Sequence, residues 1–254
     1  MVFDRPSALV HLRNTISTMR PLQCGHELIR IGGNGDGGYL VPDDLDGIVA
    51  CFSPGVDRIA QFELTLAQRY GIPCFLADAS VAEAPERHPI IHFERRFLGS
   101  QPDDKYMTLD DWVTRKEDRF GSGDLILQMD IEGAEYDVLT HASDEMLNRF
   151  RVIVLELHGL ERLFLNGFRL FFDSMIRKLL KNHAVVHLHP NNCCGKTSWG
   201  GVEIPRVMEL TLLRNDRVFA TGYREDFPHP LDDDNTRNPT LPLPPMWYGP
   251  ADAG

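Results

Sequence analysis

Apolar residues fall along this chain with two different spacings, and the alternation between them lays out a sheet interleaved with helices. Short, nearly continuous apolar runs at Gly47–Phe52, Pro73–Ala77, Ile90–Phe93, Asp124–Asp130, Arg151–Leu157, Ala184–His189 and Val207–Leu213 predict strands buried on both faces. Between them the spacing becomes helical. Ile59, Phe62, Leu66 and Tyr70 share one face of a predicted helix that Asp57 would cap and Gly71 would stop. Thr108 would cap a helix through Val113. Gly133 precedes a helix carrying Ala134, Val138 and Leu139, and a long helix is predicted over about 161–181. Ahead of the first strand lie a helix from Ala8 to Met19, ended by Pro21, and a glycine-rich run from Arg30 to Tyr39.

Strands alternating with helices imply an α/β fold with a largely parallel sheet covered on both faces. Residues 190–206 hold no helix-length period, so the last two strands are expected to pair antiparallel. The resulting sheet, mostly parallel with an antiparallel last strand and helices on both faces, is assigned to residues 47–226 and resembles the arrangement of Rossmann-like methyltransferases. Residues 1–46 form an N-terminal helix and glycine-rich cap. Residues 227–254, rich in Pro, Asp and Asn, form an irregular tail.

Composition narrows the function. A formal net charge of -11 over 254 residues argues against a nonspecific hold on nucleic acid or anionic lipid. Runs of about 18 apolar residues are absent, so no membrane span is expected. The start lacks a signal-peptide pattern, and five cysteines without a disulfide spacing fit reduced thiols in a cytoplasmic protein. The apolar residues Leu163, Phe164, Phe168, Phe171 and Phe172 would pack a helix on the sheet or form a homo-oligomer interface.

Ligands of such sheets bind beyond the carboxyl ends of the strands. There the turn Ser53-Pro54-Gly55 leads toward a helix, where backbone N–H groups can meet a polar ligand and Gly55 would let it approach. Asp78 ends the second strand, at the position where an acid can bind ribose hydroxyls. Three further strands close on polar residues: Gln128 and Asp130, Glu156 and His158, His187 and His189. Each pair shares a sheet face by the two-residue period. Burying such groups unpaired is costly, so they imply a network or a wet cleft.

The segment Leu127-Gln-Met-Asp-Ile-Glu-Gly-Ala-Glu-Tyr-Asp-Val-Leu139 resembles the signature of the FkbM-type methyltransferases, with Gln128 replacing the usual Lys. Thr108–Trp112, Arg30-Ile-Gly with Asp36–Tyr39, and Ser53–Asp57 with Phe62-Glu63 and Asp78 are similar to other blocks of that family, in the same order. The resemblance implies S-adenosylmethionine as cofactor and O-methylation of a hydroxyl on a sugar, glycan or secondary metabolite. By the same resemblance Ser53, Gly55 and Asp78 would hold the cofactor, with Pro54, Asp57 and Ala79 beside them and Asp130 close to the reacting methyl group.

A hydroxyl is a poor nucleophile near neutral pH and benefits from a base within reach. His158 is the first candidate, with Asp130, Glu132 and His189 in reserve. Asp130, Glu156 and His158 also offer the oxygen and nitrogen ligands that Mg²⁺ or Mn²⁺ accept. Two other classes compete with the methyltransferase: a noncatalytic nucleoside-binding sensor, and a dehydrogenase in which Asp78 holds the ribose of a nicotinamide cofactor.

Overall fold

A computed structural model describes residues 4–220 and 222–249. Seven strands form the central sheet: β1 (Ile48–Pro54), β2 (Cys74–Ala77), β3 (Ile91–Glu94), β4 (Asp124–Met129), β5 (Phe150–His158), β6 (His183–Pro190) and β7 (Val207–Arg214). Their spatial order is β6-β7-β5-β4-β1-β2-β3. Neighbours from β5 to β3 run parallel, while β7 lies antiparallel to both β5 and β6. Order reverses between β1 and β4, which places the crevice for a ligand at the carboxyl ends of those two strands.

All the strands except the half-buried edge strand β3 are buried on both faces, because each face has its own apolar layer. Phe52, Phe75, Leu127 and Leu155 point into the larger core with α1 (Leu9–Thr18), α3 (Leu109–Thr114), α4 (Glu135–His141), α5 (Asp144–Arg149) and α6 (Asn166–Leu179). Alternate residues Cys51, Cys74, Ile126 and Val154 point into the second core. That face is covered by α2 (Gln61–Thr65) and by an antiparallel ribbon of Leu28–Ile31 with Tyr39–Pro42. The glycine-rich run is the turn of this ribbon, so it is held against the sheet where the polar strand ends emerge.

Two predicted helices differ in outline. The helix after β1 has its N-cap at Ala60 rather than at Asp57, which is exposed and adopts φ +38°. It then widens into a π-helical turn, Leu66–Tyr70, before Gly71 ends it in the left-handed conformation. The predicted helix over 161–181 is broken into a 3₁₀ turn, Leu160–Phe164, and α6. Leu165 is extended between them because the N-terminal segment bridges it: Pro6 pairs with Leu165, Ser7 N donates to the Phe164 carbonyl, and Asn166 N donates to the Arg5 carbonyl. Leu163, Phe168 and Phe172 of this region are buried in the core, whereas Phe171 is exposed. Thr108 does cap α3, its hydroxyl accepting from Asp111 N at 3.1 Å. Residues 190–206 contain a hairpin of Lys196–Trp199 with Val202–Pro205. Among the described residues, no helix is long and apolar enough to cross a membrane.

Candidate active site

Beyond the ends of β1, β2 and β4 lies a cavity of about 370 Å³. The turn after β1 forms its floor. Gly55 takes φ +87°, and its amide donates to the Ala77 carbonyl at 2.9 Å, so the β1 and β2 ends are joined. Six carboxyl side chains reach its wall: Asp36, Asp57, Glu63, Asp78, Asp130 and Glu132. Apolar surface comes from Val56, Ile59, Phe62, Phe97 and Leu98. Among the described residues no Lys, Arg or His lines it.

Asp78 is buried and bridges two loops: one carboxylate oxygen accepts from Asp57 N at 3.0 Å, the other from Ser80 N at 2.7 Å. It therefore faces the cavity in a fixed orientation. Ser53, Pro54 and Ala79, expected to touch a cofactor, are not on the cavity wall. Ser53 is fully buried, and its hydroxyl sits between the Glu63 carboxyl and Gln128, at 2.6 Å from the latter. Gln128 in turn reaches the Tyr39 hydroxyl at 3.3 Å. Burial pushes the Glu63 carboxyl up to about 7, and its hydrogen bond with Ser53 only partly offsets this.

At the ends of β4 and β5 the polar positions converge as their spacing predicts. Asp130, Glu156 and His158 each bring one oxygen or nitrogen into a group whose atoms lie within 4.8 Å of one another. Asp130 is held far above the usual carboxylate range, first by burial and then by the neighbouring Glu156. Burial raises Glu156 as well, opposed by its hydrogen bond with Asp130 and by the charge of His158. His158 Nδ1 lies 3.1 Å from Glu135 Oε1, while its Nε2 faces Asp130 at 3.7 Å and the exposed Glu132 at 3.6 Å. Burial works against the charged imidazole. The hydrogen bond and charge of Glu135, with Glu156 and Glu132 behind it, outweigh that and raise the His158 pKa.

Glu135 had no role assigned from the sequence. It is fully buried in the first turn of α4, where Oε1 also accepts from Ile131 N at 3.0 Å and Gly133 N at 3.2 Å. Its place three residues after Glu132 in the Asp-Ile-Glu-Gly-Ala-Glu segment is the signal that could have exposed it, since Gly133 turns the chain back. His189 stands apart from His158. It lies beside Asp232 at 3.7 Å, and His187 Nε2 lies 2.8 Å from the same carboxylate. Asp232 comes from the C-terminal segment, whose composition gave no hint of a partner for β6.

The strand order, the antiparallel β7 and a ligand-sized cavity at the reversal point define a Rossmann-like methyltransferase sheet. Residues 75–185 match the family model described as the methyltransferase FkbM domain. S-adenosylmethionine is the usual cofactor of such methyltransferases. No curated protein matches the chain. Among solved structures, a chain of the fibrillarin/Nop5p complex is similar at 11% identity over 67% of this chain and 74% of that chain, with a TM-score of 0.38. TrmN from Thermus thermophilus is similar at 12% identity over 65% of this chain and 44% of that chain, with a TM-score of 0.32.

Proposed function

We propose that the protein transfers the methyl group of S-adenosylmethionine to a hydroxyl of a sugar, glycan or secondary metabolite. One observation carries the donor: among the described residues the cavity wall bears six carboxyl groups, of which burial pushes only Glu63 and Asp130 toward the neutral form, and no basic side chain. A sulfonium with an α-ammonium suits that wall. The pyrophosphate of a nicotinamide dinucleotide would set two negative charges against it, which disfavours the dehydrogenase. Asp78, fixed by its hydrogen bonds from Asp57 N and Ser80 N, would take the ribose, and Asp130 would lie at the end of the donor that carries the methyl group.

The reaction is an in-line displacement at carbon, so alignment and exclusion of water supply most of the acceleration. His158 is the base: Glu135 holds its Nδ1–H, and Nε2 is left facing the Asp130 side of the site. Nε2 would take the proton of the acceptor hydroxyl as its oxygen bonds to the methyl carbon, and S-adenosylmethionine, when bound, would supply that methyl and be released as the neutral thioether. A sensor that only binds the nucleoside has no use for this buried imidazole–carboxylate pair.

A second reading of the same cluster is favoured by the convergence of Asp130, Glu156 and His158. Two carboxylates and an imidazole form a donor set that suits Mn²⁺, and Mg²⁺ less well. Such an ion would acidify the hydroxyl, and His158 would then be a ligand rather than the base. The Glu135 bond to Nδ1 fits that role equally, since it orients the other nitrogen.

The test is transfer of a labelled methyl group from S-adenosylmethionine into a library of neutral sugars and polyhydroxylated metabolites, with and without chelator. Label in a hydroxyl of one acceptor is expected. Donor binding with no transfer to any hydroxyl would leave the sensor; tight dinucleotide binding would restore the dehydrogenase. Loss in chelator, restored by Mn²⁺, selects the second reading.

A further inference from the structure

The glycine-rich turn that roofs the cavity cannot hold itself in place. Gly32, Gly35 and Gly37 are all in the left-handed region, at φ +97°, +80° and +74°, and such residues lose the most backbone freedom on ordering. The turn is nonetheless compact: a Cβ on Gly38 would lie 2.1 Å from the Gly33 carbonyl oxygen. Two side chains fix it. The Arg30 guanidinium lies inside the turn, with Nε donating to the Gly33 carbonyl and Nη2 to the Gly35 carbonyl, both at 2.8 Å. From outside, Asp233 Oδ2 accepts from Gly35 N at 3.0 Å.

Asp233 belongs to a stretch of the C-terminal segment that is tied down on its other side to the ends of β6 and β7. Asp232 takes His187 at 2.8 Å, Asn235 donates to Glu209 at 2.7 Å, and Asn192 accepts from Thr236 N at 2.8 Å and donates to the Asn238 carbonyl at 2.8 Å. The stretch thus runs from the wall that carries Asp36 and Gly37 to strands β6 and β7, next to the Glu156 side of the site.

We propose that residues 229–240 are a strap that sets the glycine-rich turn over the donor cavity, with Asp233 and Arg30 as positioning residues for the methyl donor. The proposal rests on the reading of the cavity as a S-adenosylmethionine site. Without Asp233 the turn loses its outer bond, Asp36 and Gly37 leave the wall, and the donor sees an open groove.

Calorimetry with S-adenosylmethionine, hydrogen exchange over 32–38 and thermal melting on the full chain test this. Asp233→Ala is expected to weaken donor binding about tenfold, the loss of one charge-assisted hydrogen bond, with unchanged stoichiometry. Exchange in 32–38 should accelerate and the melting temperature should stay nearly unchanged. Asp233→Asn keeps an acceptor oxygen and should restore affinity to within about twofold of the native chain. Native affinity in Asp233→Ala overturns the strap, as does a fall in stoichiometry and melting temperature at unchanged affinity, or failure of Asp233→Asn to rescue. A native chain that binds no S-adenosylmethionine sinks the donor reading first, and the strap with it.

Discussion

Gly55 is packed directly against the backbone of Asp130: a Cβ built on the glycine would lie 1.5 Å from the Asp130 carbonyl oxygen. Asp130 N donates back to the Pro54 carbonyl at 3.3 Å, so the ends of β1 and β4 are locked together at this point. The glycine is needed for this strand-to-strand approach, and the same turn lines the cavity.

Gly55→Ala should therefore damage fold and site together. The left-handed backbone alone costs on the order of 1–3 kcal/mol in a residue with a side chain. The clash is with backbone and has no rotamer to relieve it. A markedly lower melting temperature and loss of S-adenosylmethionine binding are expected. Native affinity in this variant would mean that the turn is not the floor of the donor site.

Glu63 gives the protein a pH dependence of known sign. Its folded pKa of about 7 lies above the unfolded value near 4.3, so the neutral acid is the form the fold favours. The corresponding stability is complete below about pH 4 and is lost as pH rises through 7. Glu63→Gln removes that loss, and its advantage over the native chain should grow between about pH 4.3 and 7 to roughly 3 kcal/mol. Urea melts of both proteins across this range check it. A difference that does not change with pH would show that Glu63 is ionised in the fold.

The sheet and the polar strand ends were legible because both depend on short-range rules. Continuous apolar runs marked all seven strands, and the two-residue period put Asp130, Glu156 and His158 on course to meet, while Gln128 turned to Ser53 and Tyr39. What failed to show was whatever a distant segment imposes. Leu165 breaks a helical period because Pro6 bridges it, and Ser53 is turned from the cavity by Glu63 and Gln128. The partner of His187 and His189 is a carboxylate more than forty residues on, in a stretch with no periodicity at all.

Trp247 makes the same point in the C-terminal segment, where composition alone suggests an irregular tail. It is fully buried in the larger core, with Nε1 donating to the Glu203 carbonyl at 3.0 Å. Trp247→Ala should cost about 3–5 kcal/mol, the range for deleting a buried aromatic side chain. Thermal or denaturant unfolding will read it. A change within about 0.5 kcal/mol would mean that the segment does not pack as described.

The last prediction separates two roles for one imidazole. His158→Ala and Asp130→Asn should each cut turnover strongly while leaving donor affinity nearly intact, because neither side chain holds the ribose end of the donor at Asp78. Glu135→Gln keeps the shape of the pocket behind His158 but removes the charge that orients it, so it should lower turnover less than His158→Ala does. If His158 is the base, added Mn²⁺ will change none of these rates. If it is a ligand, Asp130→Asn will need far more Mn²⁺ than the native chain to reach its own maximum, and direct metal titration will show the same weakening without any acceptor present. Native turnover in His158→Ala removes it from both roles, and the proton must then leave through Asp130 or Glu132.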